Sequence, residues 1–479
     1  MMKCSRSVIR TAVVALTALV TTVTSAAWAE EPQEYELDEI LDEARNYAPL
    51  LQELEAKQDF AQARKSRADR AWWPSLQAET LLAPVPADAD PSRIDENIDE
   101  IVSFNLGPYF RQTARVVLPI YTFGKITAAQ ELAELGVDVE VIRARQAMQE
   151  HLHRTYQAYY GMQLARAFSA LLEEGDALIK ETLEEMEEAR AFGDADFETK
   201  DLRRLQIFNA EMDRMVLDNA RLNDLTESAL LYLTDLEGPI EVPAMTPEQA
   251  DLPIGTLATY QELARIHRPE LAQLEAGVEA RQIEERLARR EFLPDIFLAA
   301  DFRFGWSNKD PAFQRVCRQV EEDGPCINSE TLYTRPYSNP FDTLNFGVVL
   351  GMRWNLNLGQ QLGRVGETEA RRVEIEAQQT RAVGAIELEI EQAWREAYDA
   401  RERIAIERRR YDAARRWRNQ YGLQSEMGYE GDMRDLIDPL RAFYEARVGY
   451  LEAAHNYLVA RVELARVVGV ESLDDVDDL

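Results

Sequence analysis

Leu344-Asn345-Phe346-Gly347-Val348-Val349-Leu350-Gly351-Met352-Arg353-Trp354-Asn355-Leu356 sets an apolar side chain at every even position and mostly a small or polar one at every odd position. Such alternation predicts a strand with one apolar face. Ile296 to Trp306 repeat it, with Ile296, Leu298, Ala300, Phe302, Phe304 and Trp306 on one side and Phe297, Ala299, Asp301, Arg303 and Gly305 on the other. Ser75–Leu82 and Ala114–Tyr121 are weaker counterparts. A half-buried sheet in a soluble domain gives this pattern, and so does a barrel strand with lipid outside, water inside and aromatics at its ends. Four strands cannot close a membrane barrel, and an open edge in lipid leaves backbone groups unpaired. If these strands span a membrane, several subunits must share the barrel.

Around the strands the chain states its pattern twice. Pro49-Leu50-Leu51-Gln52-Glu53-Leu54-Glu55-Ala56 returns as Pro269-Glu270-Leu271-Ala272-Gln273-Leu274-Glu275-Ala276, and the same offset carries Arg70 onto Arg290 and Trp73-Pro74 onto Leu293-Pro294. With small shifts, Ile120-Tyr121-Thr122-Phe123-Gly124-Lys125 falls over Asn355-Leu356-Asn357-Leu358-Gly359-Gln360, and Phe192-Gly193 over Met427-Gly428. Each copy reads as helix, Pro, strand, variable loop, strand, Gly, very long helix, Gly-containing turn, long helix. Ile126–Ala191 and Gln361–Ser425 contain no proline, so at ~1.5 Å per residue each reaches on the order of 100 Å. Leu440, Tyr444, Val448, Leu451, Leu458 and Val462 recur at coiled-coil spacing on the returning helix. Gly136, Gly161, Gly175 and Gly384 mark bends or close packing within the helices.

The organisation read from this is a signal peptide (1–29), a first repeat (30–240), a linker (241–260), a second repeat (261–470) and an acidic tail (471–479). Lys3, Arg6 and Arg10 precede the apolar run Thr11–Val23, and Ala27-Trp28-Ala29 offers small residues for cleavage. An uncleaved anchor is the alternative, but the run is short for a span. Cys4 lies before the apolar run, where a lipid-attachment cysteine would not. Cys317 and Cys326 remain in an exported chain and are read as a disulfide within the loop of about Ser307–Thr343. A two-ligand metal site there lacks further ligands.

The 479 residues are 29% charged and 46% hydrophobic, with a net charge of −32. Acidity of this degree argues against a nucleic-acid partner, which needs clustered cations. His151 and His153, two apart, do not share a helical face, so no metal helix is read. Arg408, Arg409, Arg410, Arg415, Arg416 and Arg418 stand near Glu402 and Glu407, which reads as ion pairing along a helix surface. No nucleophile elbow, phosphate loop or metal constellation is present, so neither an enzyme nor a cofactor is expected.

In its duplicated order of elements, its Leu118-Pro119-Ile120-Tyr121…Gly124-Lys125 strand exit and its Gly-containing helical turns, the chain resembles the TolC-like outer-membrane efflux channel family over about residues 35–470. The resemblance implies a mainly α fold with a small β part. Duplicated long helical hairpins form a periplasmic α-barrel, and four strands per subunit enter a trimeric twelve-stranded transmembrane β-barrel. It implies a homotrimer in outer-membrane lipid, partnered by a periplasmic adaptor and an inner-membrane transporter. Phe302, Phe304, Trp306, Phe346 and Trp354 then face lipid or form its girdle. Asp435 and Asp438 keep an Asp-x-x-Asp spacing that puts both carboxylates on one helical face, as a cation-attracting periplasmic gate would. The same residues also read as a helix start, with Asp438 as N-cap and Pro439 at the first helical position. Pro439 and one extra residue after Gly428 depart from the family pattern. Phe192, Gly193, Asp194, Met427, Gly428 and Tyr429 match the adaptor-docking turns, or are exposed loops. A rival of another class is a wholly periplasmic coiled-coil scaffold, whose strands bury Phe302, Phe304, Trp306 and Trp354 against protein.

Overall fold

The computed structural model describes residues 33–87, 105–192, 199–307, 314–320, 326–332, 343–426 and 434–473. The first repeat runs β1 (Gln33–Glu34), α1 (Leu37–Arg45), α2 (Ala48–Asp69), β2 (Ser75–Ala87), β3 (Asn105–Tyr121), α3 (Lys125–Phe192) and α4 (Thr199–Leu233). The second runs β4 (Ile240–Glu241), α5 (Leu257–His267), α6 (Pro269–Arg290), β5 (Asp295–Ser307), β6 (Gln314–Val320), β7 (Cys326–Leu332), β8 (Thr343–Arg353), α7 (Leu358–Glu426) and α8 (Arg434–Val468).

Local chemistry sets the boundaries. Pro49 and Pro269 stand in the first turns of α2 and α6, where a missing N–H costs nothing. Glu36 and Glu39 close a capping box on α1. Phe123 (φ 53°) and Gly124 (φ 79°) turn β3 sharply into α3. Gly469 (φ 92°) ends α8 with its N–H and that of Val470 on the Ala465 carbonyl, at 2.9 and 3.0 Å.

The sheet is antiparallel in the order β2-β3-β5-β8. Because α2 leads into β2, β3 into α3, α6 into β5 and β8 into α7, the helices keep the same order. Thus α3 packs on α2 and α4 to one side and on α6 and α8 to the other, while α7 packs on α6 and α8. The long helices have 68 and 69 residues, so each extends about 100 Å. Midway, β1 pairs with β4 and α1 and α5 pack against the wall. The core there joins Tyr159, Met162, Leu230, Ile40 and Ile240 in one cluster and Ile390, Ala397, Tyr260, Leu464 and Val468 in another. Farther along, Leu172, Ile179 and Met186 meet Leu202, Leu205 and Met212, the seven-residue spacing of a coiled-coil seam.

Four expectations change. β2 and β3 extend to 13 and 17 residues, well past the weak alternation at Ser75–Leu82 and Ala114–Tyr121. Antiparallel pairing with a stronger neighbour holds them extended. The long loop contains the β6–β7 ribbon, whose register sets Cys317 opposite Ser329 and Cys326 opposite Val320. The cysteine side chains lie outside the described residues. Pro439 lies inside α8, not at its first position, so the Asp435 carbonyl loses its intrahelical donor. Finally, Gly161 and Gly175 are close-packing sites, since a Cβ would come within 2.9 Å of Thr226 or Met212, whereas Gly136 and Gly384 have open space.

Candidate functional site

Directly paired residues point to one face of a sheet, so the register sorts the side chains into two faces. One face holds Leu76, Ala78, Leu82, Phe110, Val116, Leu118, Leu298, Phe302, Phe304, Trp306, Leu344, Phe346, Val348 and Leu350, and no charged residue. Its polar pair, Thr80 and Gln112, is satisfied internally: the Thr80 hydroxyl donates to the Gln112 side-chain oxygen at 2.5 Å. The opposite face carries Glu79, Arg111, Arg115, Asp301, Arg303 and Arg353. There Arg115 pairs with Asp301 at 2.5 Å, Arg111 with Glu79 at 3.8 Å, and Arg353 lies over the Phe297 ring at 5.0 Å.

The uncharged face has no cover among the described residues. Phe346 is 74% exposed, and Phe302, Phe304 and Trp306 are 40, 39 and 49% exposed. Such a contiguous apolar surface marks a membrane or protein contact. Trp354 falls just past β8, exposed, with its indole N–H donating to the Phe292 carbonyl at 2.8 Å, which places it at the helix end of the sheet.

That end is clamped between repeats. Arg290 donates to the Gly124 carbonyl at 2.8 Å, and Lys125 Nζ reaches the Leu293 carbonyl at 2.7 Å and Asp295 at 2.8 Å. A Cβ on Gly124 would lie 2.8 Å from Arg290, so the glycine admits the guanidinium. The preservation of arginine at 70 and 290 is the sequence signal for this clamp.

Midway along the wall a polar belt ties both repeats. Buried Arg268 donates to Glu270 at 3.1 Å and to Glu389. Arg466 grips Glu463 with two bonds of 2.9 and 2.6 Å. Burial pushes the Glu463 carboxyl up, but the Arg466 hydrogen bond and charge outweigh it and hold the group below its ordinary range. His153 lies 3.2 Å from Glu463, and burial pulls its imidazole down. His151 donates to the Leu233 carbonyl at 2.9 Å, stacks on Tyr47 and is likewise depressed by burial. Both histidines thus fix helices, and among the described residues no group of ligands could hold a metal.

At the far tip, Phe192 ends α3 fully in solvent at 87% exposure. Gly193, Asp194, Met427, Gly428 and Tyr429 lie outside the described residues, as does the side chain of Asp435. Asp438 is exposed. One turn on, Arg441 bridges α8 to α4 through Glu211 at 3.4 Å and bonds Glu445 at 2.8 Å. The arginine run of α7 departs from the ion-pairing expectation. Arg410 pairs with Glu407 at 3.2 Å and Arg418 covers the Phe443 ring at 3.8 Å. Arg401, Arg403, Arg408, Arg409, Arg415 and Arg416 are exposed without an acidic partner among the described residues.

Residues 261–470 match the family described as outer membrane efflux protein. The chain carries an outer membrane efflux protein domain. Its fold as a whole is that of solved outer-membrane channels. VceC from Vibrio cholerae superposes with a TM-score of 0.66 at 16% identity, over 93% of this chain and 99% of that one. CmeC from Campylobacter jejuni gives 0.67 at 14% identity over 99% and 98%. MtrE from Neisseria gonorrhoeae, solved in an open state, gives 0.65 at 16% identity over 91% and 89%. No curated protein matches the sequence. As in that fold, the chain is mostly helical with a smaller strand part. Among the described residues no helix is long and apolar enough to cross a membrane.

Proposed function

We propose that this chain is one subunit of a passive trimeric outer-membrane channel in a tripartite efflux or type I secretion system. One observation carries the reading: a four-stranded sheet has an uncharged, uncovered apolar face and an ion-paired opposite face. Lipid outside and water inside match those faces. The strand order supports closure. In β2-β3-β5-β8 successive strands are antiparallel, so the two edges run in opposite directions, and β8 of one copy meets β2 of the next as another antiparallel pair. Three copies give a ring of twelve strands with no open edge. A periplasmic scaffold fits poorly, because Phe302, Phe304, Trp306 and Phe346 remain exposed among the described residues.

In this reading residues 1–29 direct export, the repeats 30–240 and 261–470 are joined by 241–260, and the helices form a periplasmic duct. The turns holding Phe192, Gly193, Asp194, Met427, Gly428 and Tyr429 meet a periplasmic adaptor. Asp435 and Asp438 from three copies gather negative charge at the tip, which disfavours anions. Parting of the tip helices admits substrate from an inner-membrane transporter, and no residue does chemistry. The deciding experiment combines membrane fractionation, gel mobility with and without heating, and mass in mild detergent. A detergent-dependent trimer in the outer membrane is expected, and a periplasmic monomer that needs no detergent overturns the reading.

A further inference from the structure

We infer that the clamp joining the two repeats is rebuilt across the boundary between copies, with Arg70 of one copy on the first helical turn of α7, at Gly359, of the next and Gln360 facing Ser75. The inference rests on the ring proposed above. It follows from duplication: the repeat offset carries Arg290 onto Arg70 and Asp295 onto Ser75, and the strand-exit alignment carries Gly124-Lys125 onto Gly359-Gln360.

Within one chain, β5 and α6 lie against β3 and α3, and Arg290, Gly124, Lys125 and Asp295 meet there. Their counterparts lie at the opposite sheet edges, β2 and β8, and are brought together only when a second copy continues the order. Each half is exposed in the single chain. Arg70 has a 5.8 Å approach to the ring of its own Trp73, and a Cβ on Gly359 would meet nothing within 4 Å among the described residues, where one on Gly124 would lie 2.8 Å from Arg290. The Gly124 carbonyl already accepts from Ala128 N–H at 3.0 Å while taking the arginine. A carbonyl in the first turn of α7 can likewise take both, since it has two lone pairs.

The copies of the clamp differ in charge. Lys125 and Asp295 form an ion pair at 2.8 Å, whereas Gln360 and Ser75 are neutral. The boundary between subunits therefore keeps the arginine and drops the salt bridge.

The test is Ser75→Cys with Gln360→Cys in the full chain, treated in membranes with a short bis-maleimide; the parent, holding only Cys317 and Cys326 after export, is the control. Covalent dimers and trimers at least tenfold above the parent are expected. A trimer by mass in detergent that gives no such ladder overturns the clamp and leaves the ring standing. A monomer by mass overturns the ring and the clamp with it. A second measurement leaves the cysteines native: Arg70→Ala should lower the temperature at which the trimer dissociates on gels, and Arg70→Lys should recover part of the loss. An unchanged dissociation temperature in Arg70→Ala also overturns the clamp.

Discussion

The helices α3 and α7 are one element used twice, nearly equal in length, yet their surroundings differ. α3 is held on both flanks, by α2 and α4 on one side and α6 and α8 on the other, whereas α7 is packed on α6 and α8. Accordingly α7 exposes Leu362, Val373, Leu388, Ile406 and Trp417 along its length, where α3 exposes Val141, Leu178 and its terminal Phe192. Charge divides them too. Toward the tip α3 carries Glu181, Glu184, Glu185, Glu187 and Glu188, and α7 carries Arg408, Arg409, Arg415 and Arg416, without an acidic partner among the described residues. A duplicated scaffold has become an interior helix and a boundary helix, and side-chain chemistry has followed position rather than ancestry.

The contrast between interior and boundary is sharpest at the sheet edge. Phe346→Arg on β8 puts a charge on the face proposed to meet lipid and should cost about 2–4 kcal/mol near mid-depth. Loss of the heat-modifiable band is the readout, and Asp301→Asn on the opposite face should retain it. Next in size is Gly175→Ala on α3, where the new Cβ meets Met212 at 2.9 Å and Tyr444 at 3.3 Å. Overpacking of that kind costs about 1–3 kcal/mol, measurable as a lowered denaturation midpoint.

The buried histidine distinguishes the helices in pH, since α7 has no histidine. Burial holds His153 below its ordinary value, so the unfolded chain takes the proton first; stability is intact above about pH 6.5 and falls as pH drops. Glu463, also held low, adds a second loss below about pH 4.3. His153→Gln should flatten the upper limb of a stability–pH curve and leave the lower one. A curve unchanged by that substitution would show that the belt does not couple protonation to folding. The smallest effect belongs to Gly384→Ala on α7, where nothing lies within 4 Å. Helix propensity alone should stabilise it by about 0.5–1 kcal/mol in thermal unfolding.

Much of this architecture was legible because its signals are periodic. The Ile296–Trp306 and Leu344–Leu356 alternations, the proline-free helices and the doubled Pro49 and Pro269 segments each repeat one physical constraint. Where tertiary context dominates, periodicity is silent. β2 and β3 are strands as much through their partners as through their own pattern, with Arg111 and Arg115 turned to the paired face. Pro439 looked like a helix start because the sequence does not reveal that α8 already begins at Arg434. The belt ties Arg268 and Arg466 to Glu389, and His153 to Glu463, pairs too distant in sequence for spacing to connect. Of the candidate site, the aromatics of the uncharged face followed from alternation, while the tip residues rested on resemblance.

The segment between α4 and α5 has a thermodynamic role in the proposed ring. A ring of alternating repeats could in principle be built from separate halves, each junction then forming by diffusion. Tying two halves together raises their mutual effective concentration to roughly the millimolar range for a short tether. Half of the junctions thereby become independent of how much protein the cell makes. Only the remaining seams, those without the lysine–aspartate pair, still respond to abundance.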